Sequence, residues 1–325
     1  MLPGTVRSLV PTLAWLLSGC ISAQPASAPG PHATAASARA AVPPKTRAVA
    51  SESPSVERPE ARPETAPVAA PARRAFTEPV APRSETRAVV LLYHAFNRGA
   101  QPLSVRTRDF DAQLAWLADH QVEIVTVSEL IDFLEGKLAL PARVAVISID
   151  DGLLSVYTKA WPILKARGVR FSLGIPTGML EDPKNAPVMT WDHAREMVAS
   201  GLCEVVSHGH MHRRLVALTG KRQWEELELS RDLITERIGT APVAYYYPLG
   251  AYDPVSADAV KKAGYRAAFR ATGAPIAAGS SSHFWLPRVS IFHGESAGVL
   301  SHYFGAKFMS QIAYSARRDP SPSTP

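Results

Sequence analysis

Two short segments near the middle of the chain place carboxylates and imidazoles directly after runs of β-forming residues. The run Val-Ala-Val-Ile-Ser-Ile ends on Asp150 and Asp151, and the run Glu-Val-Val-Ser ends on a segment that contains His208 and His212. One carboxylate and two imidazoles suit zinc or another divalent ion, and three protein ligands leave a coordination position open for a catalytic water. The two segments together predict a metal site.

The adjacent aspartates can divide the work of such a site. If one binds the metal, the other can act as the general base that takes a proton from the metal-bound water, whose pKa falls from about 15.7 toward about 7. Taken alone, Asp-Asp-Gly is also typical of a turn, because Asp accepts backbone N–H bonds and Gly tolerates positive φ. Three histidines within a five-residue segment at the end of a strand favour ligands over a turn. His210, between the two candidate ligands, is expected to support the site or to face solvent.

Strand and helix patterns alternate from residue 86 onward. Strands are predicted at 88–93, 123–126, 144–149, 169–175, 204–207, 243–247, 266–269 and 286–291, and helices at 107–120, 128–135, 156–167, 191–200, 221–238 and 255–263. This alternation predicts a parallel sheet covered by helices, and seven or eight repeats favour a barrel over an open sheet. In a barrel the C-terminal ends of the strands carry function. The aspartates, the histidines, His94 and Pro248 all follow predicted strands.

The segment 1–20 is predicted to be a lipoprotein signal peptide. A weakly positive start and a short apolar stretch precede Leu17-Ser18-Gly19-Cys20, which looks like a bacterial lipobox. The stretch is too short for a membrane span, which needs about 20 residues. We expect lipidation of Cys20 and, because Ile21 rather than aspartate follows, a location on the periplasmic side of the outer membrane. An ordinary cleaved signal peptide is the alternative.

Residues 21–85 are rich in Ala, Pro and Ser and are predicted to be a disordered linker, followed by the folded domain (86–318) and a disordered tail (319–325). The net charge of +6 lies partly in this linker. No basic helix or aromatic-basic alternation accompanies it, so we expect no nucleic-acid partner. If Cys20 is lipidated, Cys203 remains alone and is expected to be a small buried hydrophobic residue.

Several motifs resemble those of polysaccharide deacetylases, carbohydrate esterase family 4. Residues 148–152 are similar to the first family motif, usually Thr-Phe-Asp-Asp-Gly, and His208-x-x-x-His212 is similar to the second. Other segments resemble the branch with the lipoprotein poly-β-1,6-N-acetylglucosamine deacetylases of biofilm systems, namely residues 92–94, 110–114, 247–250, 263–265 and 286–288. The resemblance covers residues 88–291. It implies an α/β fold, a distorted (β/α)7-8 barrel of the NodB homology type, and metal-dependent hydrolysis of N-acetyl groups on a glycan.

The resemblance also implies a role for each matching residue. Asp150 would be the base, while Asp151, His208 and His212 would hold the metal, with zinc favoured and cobalt, nickel or iron open. The backbone amide of Leu249 would stabilise the oxyanion, and such a donor contributes about 3 kcal/mol.

The acid that protonates the leaving amine is expected at the start of the domain in this branch, which indicates His94. His293 is the alternative, and a purely structural role is the alternative for each.

Position 246 departs from the family pattern, which has arginine two residues before the proline. Tyr246 stands there, so either Arg288 substitutes from another strand or the base is held less firmly. A salt bridge at a strand end is the alternative role for Arg288. Tyr245 and Tyr247 are expected in the core, with stacking on a sugar ring as the alternative.

The sequence thus predicts a metal-dependent N-deacetylase of a poly-β-1,6-N-acetylglucosamine-like exopolysaccharide. Peptidoglycan, chitin oligomers or another acetylated glycan stay open as substrates, and a non-catalytic glycan-binding lipoprotein is the other alternative. Non-haem iron oxygenases share the ligand types but place His-x-Asp first, on a different barrel. Because only a short, Pro- and Ser-ended segment follows Ile291, cooperating modules such as exopolysaccharide-export proteins are expected on separate chains.

Overall fold

The computed structural model describes residues 75–181, 187–280 and 282–305. The strands are β1 (Arg87–Tyr93), β2 (Ala95–Phe96), β3 (Ser104–Val105), β4 (Glu123–Ile124), β5 (Arg143–Ile149), β6 (Phe171–Ile175), β7 (Cys203–Ser207), β8 (Ala244–Tyr246), β9 (Ala267–Phe269), β10 (Ile276–Ala277) and β11 (Val289–Ser290). The α-helices are α1 (Thr107–Asp119), α2 (Val127–Leu134), α3 (Trp161–Arg167), α4 (Thr177–Glu181), α5 (Trp191–Ala199), α6 (Gly220–Ile238), α7 (Pro254–Lys262) and α8 (Leu300–Phe304).

These elements confirm the predicted alternation, with some differences at the ends. The predicted helix 156–167 begins as a π-helical turn, Val156–Ala160, before α3. The predicted strand 286–291 is reduced to β11 and an isolated bridge at Leu286. Helices α4 and α8 were not predicted, because each is too short to show a helical period.

Local capping sets several helix boundaries. Before α2, the Thr126 hydroxyl accepts the backbone N–H of Glu129, and the Glu129 carboxylate accepts the N–H of Thr126. Asp253 and Ser256 form the same reciprocal pair at the start of α7. Helix α6 ends at Gly239, whose φ is 85°. Glycine adopts this left-handed conformation without steric cost.

The main sheet follows the order β10-β1-β5-β6-β7-β8-β9, and its pairs from β1 to β9 are parallel. Leu286 exchanges backbone hydrogen bonds with Ala268 and Arg270 beside β9, and β11 pairs with β1 in parallel. The segment 286–290 therefore contacts both ends of the parallel series. This closure confirms the predicted distorted barrel.

Alternate residues along β1, β5 and β7 belong to two different hydrophobic clusters. Val89, Leu91 and their equivalents on β5, β6 and β7 pack with α1, α3 and α5. Ala88, Val90, Val144 and Val146 pack instead with Val206, Tyr246 and Phe269 in a second cluster. Because side chains alternate with a period of two, the positions that continue this second cluster past the strand ends are 94, 150 and 208. The strand period thus directs His94, Asp150 and His208 toward one common space.

The folded domain begins earlier than predicted. The linker was expected to extend to residue 85, but Phe76 packs against the second core and the Ala81 amide donates to the Leu140 carbonyl at 3.0 Å. Val80 also forms an antiparallel bridge with Pro141. These contacts, together with a hydrogen bond from the Thr77 amide to Glu123, attach the segment to the domain, although its composition is that of a linker.

The predicted signal peptide, Cys20, residues 21–74 of the linker and the tail lie outside the described residues. Within the described ranges, none of the helices has the length and apolar character needed to span a membrane.

Candidate active site

Asp150 and Asp151 leave β5 in different directions. The Asp150 amide still continues the sheet by donating to the Tyr93 carbonyl at 2.9 Å, and its side chain is only 1% exposed. Asp151 has a φ of 72°. This left-handed conformation costs a residue with a Cβ about 1–3 kcal/mol. In a regular strand the side chains of Asp150 and Asp151 would point to opposite faces of the sheet. The left-handed conformation of Asp151 changes the direction of its side chain, so both carboxylates can reach the same space.

The loop after β7 carries both candidate imidazole ligands. The His208 amide donates to the Ile175 carbonyl at 3.0 Å, so His208 extends the strand, and Gly209 follows with a φ of 78°. His212 also takes a left-handed conformation, with a φ of 54°. The tight path of this loop returns the His212 side chain to the His208 side chain, and their ring centroids are 4.7 Å apart.

Asp151, His208 and His212 converge as a metal-ligating set. The two Nε2 atoms are 3.1 Å apart, and Asp151 Oδ1 lies 3.5 Å from His208 Nε2 and 3.3 Å from His212 Nε2. His208 Nδ1 lies 2.8 Å from the Tyr246 carbonyl, which can only accept a hydrogen bond. Nδ1 must therefore carry a proton, and in the neutral ring the Nε2 lone pair is left for a metal. The three residues fit a divalent ion in donor type, and His208 also fits it in tautomer.

The electrostatics of the cluster also favour a cation. Burial alone would lower the pKa of His208, but the charges of Asp150 and Asp151 outweigh it and raise this pKa. Burial would raise the pKa of Asp151, whereas hydrogen bonds with His208 and His212 hold it well below its usual value. The same negative charge that stabilises a proton on an imidazole stabilises a metal ion in its place.

Arg288 holds the Asp150 carboxylate from the segment that precedes β11. Its Nη1 and Nη2 donate to Asp150 Oδ1 and Oδ2, each at 2.8 Å, and both residues are 1% exposed. The guanidinium also lies over the Tyr246 ring, 4.0 Å from its centroid. Burial raises the pKa of Asp150, but the charges of Arg288 and His208 lower it overall, so the carboxylate is ionised. Arg288 thus reaches Asp150 beside residue 246, the position at which the family pattern has an arginine.

Gly174, which sequence reasoning did not single out, makes room for this ion pair. A Cβ at Gly174 would lie 2.8 Å from Asp150 Oδ1 and 2.8 Å from a ring carbon of Tyr246. The Tyr246 hydroxyl in turn bonds to Ser172 Oγ at 2.6 Å. The signal in the sequence was a glycine inside a run of apolar β-formers, which is typical of close approach by another group.

His94 is the candidate acid that lies in this site. Its Nδ1 is buried and has no hydrogen-bond partner among the described residues. Burial lowers the pKa of His94, and the charges of Asp151 and Asp150 oppose that effect. His293 is instead fixed to a neighbouring loop, since its Nδ1 lies 2.8 Å from the Ser104 carbonyl and its amide donates to Pro102.

Leu249 occupies the middle of the 3-10 turn Pro248–Gly250 and has a φ of 57°. Its side chain is 66% exposed, so packing does not explain the strained backbone. Within the part of the chain that the structure describes, the turn is closed by the amides of Gly250 and Ala251, which donate to Tyr247 and Pro248. Leu249 thus lies in a strained turn just after β8, and its role as the oxyanion donor stays a prediction.

Aromatic residues around the barrel end divide into buried and accessible groups. Tyr245 and Tyr247 are fully buried, so the core interpretation of both is correct and stacking on a sugar is excluded. Tyr252 and Trp285 are partly exposed and stack on each other, with centroids 6.2 Å apart at 23°. Cys203 is buried as predicted, and burial raises the pKa of its thiol.

A second residue missed from sequence is Glu226, a buried carboxylate on α6. The buried positions of this helix, Gln223, Glu226, Leu227, Ser230 and Ile234, form one stripe. A glutamate within the apolar stripe of a helix was the available signal, since a buried charge needs a specific partner. Its partners are backbone amides of the His208–His212 loop.

Comparison with known proteins agrees with this site. The model of the family described as polysaccharide deacetylase matches residues 137–268, which include both candidate motifs. A putative polysaccharide deacetylase of Bacillus subtilis, YxkH, is 27% identical over 218 residues, or 66% of this chain and 75% of that protein. A poly-β-1,6-N-acetyl-D-glucosamine N-deacetylase of Staphylococcus aureus is 26% identical over 198 residues, or 58% of this chain and 68% of that protein.

Among solved structures, IcaB from Ammonifex degensii is similar to this chain. The two superpose with a TM-score of 0.59 at 26% identity, over 71% of this chain and 97% of IcaB. The family match also spans β5 and β7, whose ends carry the aspartates and histidines. The chain therefore contains a polysaccharide deacetylase domain, and proteins with this domain are hydrolases that act on amide bonds.

Proposed function

We propose that this protein is a metal-dependent N-deacetylase of an exopolysaccharide of the poly-β-1,6-N-acetylglucosamine type. The observation that carries the proposal is a buried, ionised Asp150 held at two points by Arg288 beside the convergent set of Asp151, His208 and His212. The similarity to the staphylococcal deacetylase supports the choice of glycan.

Asp151, His208 and His212 would hold the divalent ion, with zinc as the first choice and cobalt, nickel and iron open. When bound, such an ion lowers the pKa of a coordinated water and polarises the acetyl carbonyl. The base and the ligands are separate groups here, because Arg288 occupies both oxygens of Asp150 and orients that carboxylate independently of the ion.

Asp150 is the group that would take the proton from the attacking water. Its lowered pKa keeps it unprotonated, which a base requires. Its two contacts with Arg288 restrict its rotation, and a fixed carboxylate loses less entropy when it reaches the reactive arrangement. As the water oxygen bonds to the acetyl carbon, negative charge develops on the carbonyl oxygen. The Leu249 amide would donate to that oxygen.

His94 would supply the proton that the leaving nitrogen needs when the carbon–nitrogen bond breaks. Burial lowers its pKa, so at neutral pH the ring must first gain a proton, and the charges of Asp151 and Asp150 favour that protonated form. The proton that Asp150 removes from water is available for this step. The products are acetate and a free amine on the sugar.

The stacked pair Tyr252 and Trp285 would contact the sugar rings of the polymer. Tyr252 follows the C-terminal end of β8 and the turn that contains Leu249, and Trp285 directly precedes the segment 286–290 that carries Arg288. Arg270 connects the pair to the base, because its Nε donates to the Trp285 carbonyl at 3.1 Å and its own carbonyl accepts from Arg288 at 3.3 Å. A partly exposed aromatic face with a polar neighbour suits a sugar ring, which offers both C–H and hydroxyl groups.

The location that we propose is the bacterial envelope, with a lipid on Cys20 as the anchor and the periplasmic side of the outer membrane favoured. The lipobox-like segment supports it. A Cys20→Ala chain should leave the membrane fraction, and retention there would reject the anchor.

Acetate release tests the function. The chain from residue 21 onward is stripped of metal, reloaded with zinc or cobalt, and given N-acetylglucosamine oligomers with β-1,6 or β-1,4 linkages. Asp150→Asn is the matched control, since it keeps the shape of the site and removes the base.

Each result has a distinct meaning. Metal-dependent release from β-1,6 oligomers supports the proposal, and a preference for β-1,4 oligomers replaces the substrate with chitin or peptidoglycan. A chain that binds metal and releases no acetate from either would be a glycan-binding protein or act on another acetylated polymer.

A further inference from the structure

Glu226 holds the loop that carries both candidate histidine ligands. A single oxygen, Oε1, accepts the backbone N–H groups of His210 at 3.1 Å, Met211 at 2.7 Å and, at 3.5 Å, Arg213. The residue is 6% exposed, and among the described residues it forms no ion pair with lysine or arginine. Its negative charge is therefore met by backbone amides of this loop, an arrangement known as an anion-binding nest.

The opposite side of the same loop is fixed by the start of α4. The amides of Thr177 and Gly178 donate to the carbonyls of Gly209 and His210, at 3.1 and 2.7 Å. Thr177 Oγ1 also lies 2.9 Å from His210 Nδ1, which gives His210 its supporting role. The carbonyls of the loop are thus held from one side, and its N–H groups are held by Glu226 from the other.

This clamp explains how the loop keeps a strained conformation. His212 has a φ of 54°. A residue with a Cβ adopts that region at a cost of about 1–3 kcal/mol unless its surroundings impose it. Gly209 permits the close approach, since a Cβ there would lie 3.2 Å from Glu226 Oε1 and 3.1 Å from the Tyr245 hydroxyl. Without the Glu226 carboxylate, the backbone N–H groups of His210 and Met211 would lose their acceptor.

We propose that Glu226 is the positioning residue that holds His212 against His208 and thereby sets the affinity of the site for its metal. The inference rests on the proposed function, because it concerns the same metal site. The hydrogen bonds of Glu226 go to backbone N–H groups and not to the imidazole rings, so it acts through the backbone of the loop.

The test measures metal affinity without any glycan. Zinc affinity, by competition with a chelator, and the visible spectrum of the cobalt-loaded protein are compared for wild type, Glu226→Ala and Glu226→Gln. Removal of a group that orients a ligand typically weakens metal binding about 10- to 100-fold, and we expect a loss in this range for Glu226→Ala. Glu226→Gln keeps an acceptor oxygen but not the charge, and charge-assisted hydrogen bonds are about twice as strong as neutral ones. The glutamine variant should therefore show a smaller loss and recover most of the wild-type cobalt spectrum.

Glu228 provides the matched control, because it is an exposed glutamate on the same helix. Glu228→Ala and Glu228→Gln should bind zinc as wild type does. A purely structural role for Glu226 would lower the melting temperature of the metal-free protein and leave the zinc Kd unchanged where the protein is folded, and that result would overturn the inference. If Glu226→Ala does not fold, Glu226→Gln decides, and wild-type zinc affinity in that variant rejects the proposal.

The two proposals can fail separately. Wild type that binds none of zinc, cobalt, nickel and iron would end the proposed function itself. Wild type that binds metal with the same affinity as both Glu226 variants would end only the role of Glu226.

Discussion

Replacement of Arg288 by methionine separates the orientation of the base from metal binding. Methionine keeps most of the side-chain length and its contact with the Tyr246 ring but removes both hydrogen bonds to Asp150, each 2.8 Å long. Asp150 would then be a buried carboxylate without its guanidinium partner, and its orientation would no longer be fixed. We expect a large fall in kcat with one metal ion per chain retained, because Arg288 does not contact Asp151, His208 or His212.

The size of the effect follows from the burial of the pair, in which both residues are 1% exposed. Removal of one partner from a buried ion pair costs about 3–5 kcal/mol of unfolding free energy. A domain of this size has about 5–15 kcal/mol in total, so the variant can still fold. For turnover, a displacement of a catalytic group by about 1 Å can cost about 100-fold. We therefore expect kcat to fall by about 100-fold or more.

Arg266→Met is the matched control. Arg266 Nη2 donates to Asp132 and to Glu135, both at 2.6 Å, but the side chain is one-third exposed and precedes β9, at the opposite end of the strands from Asp150. Partly exposed ion pairs contribute at most about 1 kcal/mol each. This variant should lose a little stability and retain kcat. Both variants are compared by acetate release at saturating substrate, by metal content and by urea unfolding.

A second substitution tests the geometry directly. The family pattern places an arginine at position 246, and the guanidinium of Arg288 lies 4.0 Å from the Tyr246 ring. Tyr246→Arg combined with Arg288→Met should therefore recover part of the lost kcat, because a guanidinium is again within reach of Asp150. Near-normal kcat in folded Arg288→Met, or loss of its metal, would refute the assignment of Arg288 to the base.

Four further outcomes are expected. Asp150→Asn should retain metal and lose nearly all turnover, whereas His208→Ala should lose both, and equal metal loss by elemental analysis would overturn the division between base and ligand. His94→Ala should keep its metal and lose most of kcat, while near-normal turnover would indicate that His293 is the acid instead. Trp285→Ala should raise KM for long oligomers with little change in kcat, and an unchanged KM would argue against a sugar contact. The hydrogen bond from Arg266 lowers the pKa of Glu135 from 4.5 to about 2. The stabilisation that this ion pair gives to the folded state is therefore present above pH 4.5 and is lost as the pH falls toward about 2. Glu135→Gln should therefore lower the urea midpoint of unfolding near neutral pH and lower it less in acid. An equal fall of the midpoint at the two pH values would contradict the lowered pKa of Glu135.

The parts of the site that the sequence predicts are those encoded locally. Asp150 and His208 each follow directly on a run of buried β-formers, and the period of two along a strand makes their side chains face the same way. Asp151 and His212 lie one and four residues further along the chain. The positions of parallel strand ends then bring the two motifs together without any further information. For this reason the metal-ligating set could be named from spacing and residue type.

The supporting contacts could not be predicted in this way, because they join distant segments. Arg288 and Asp150 are 138 residues apart, and their contact depends on how segment 286–290 closes the barrel. Glu226 lies 15 residues from Met211, on a helix whose rotation about its axis is set by packing. Propensity and periodicity carry no information about such pairs. The early start of the domain at Phe76 has the same cause, since its partners lie on the second core.

The strained residues show why the supporting contacts matter as much as the reactive ones. Asp151, His212 and Leu249 are three of the five non-glycine residues with positive φ among those the structure describes. Each would cost about 1–3 kcal/mol. None is placed there by burial of its own side chain. What they share is an atom that the proposed chemistry needs, namely a carboxylate oxygen, an imidazole nitrogen and an amide N–H. Clamps such as Glu226 on the histidine loop hold these atoms in place before the glycan arrives, so that binding energy is not used to order them.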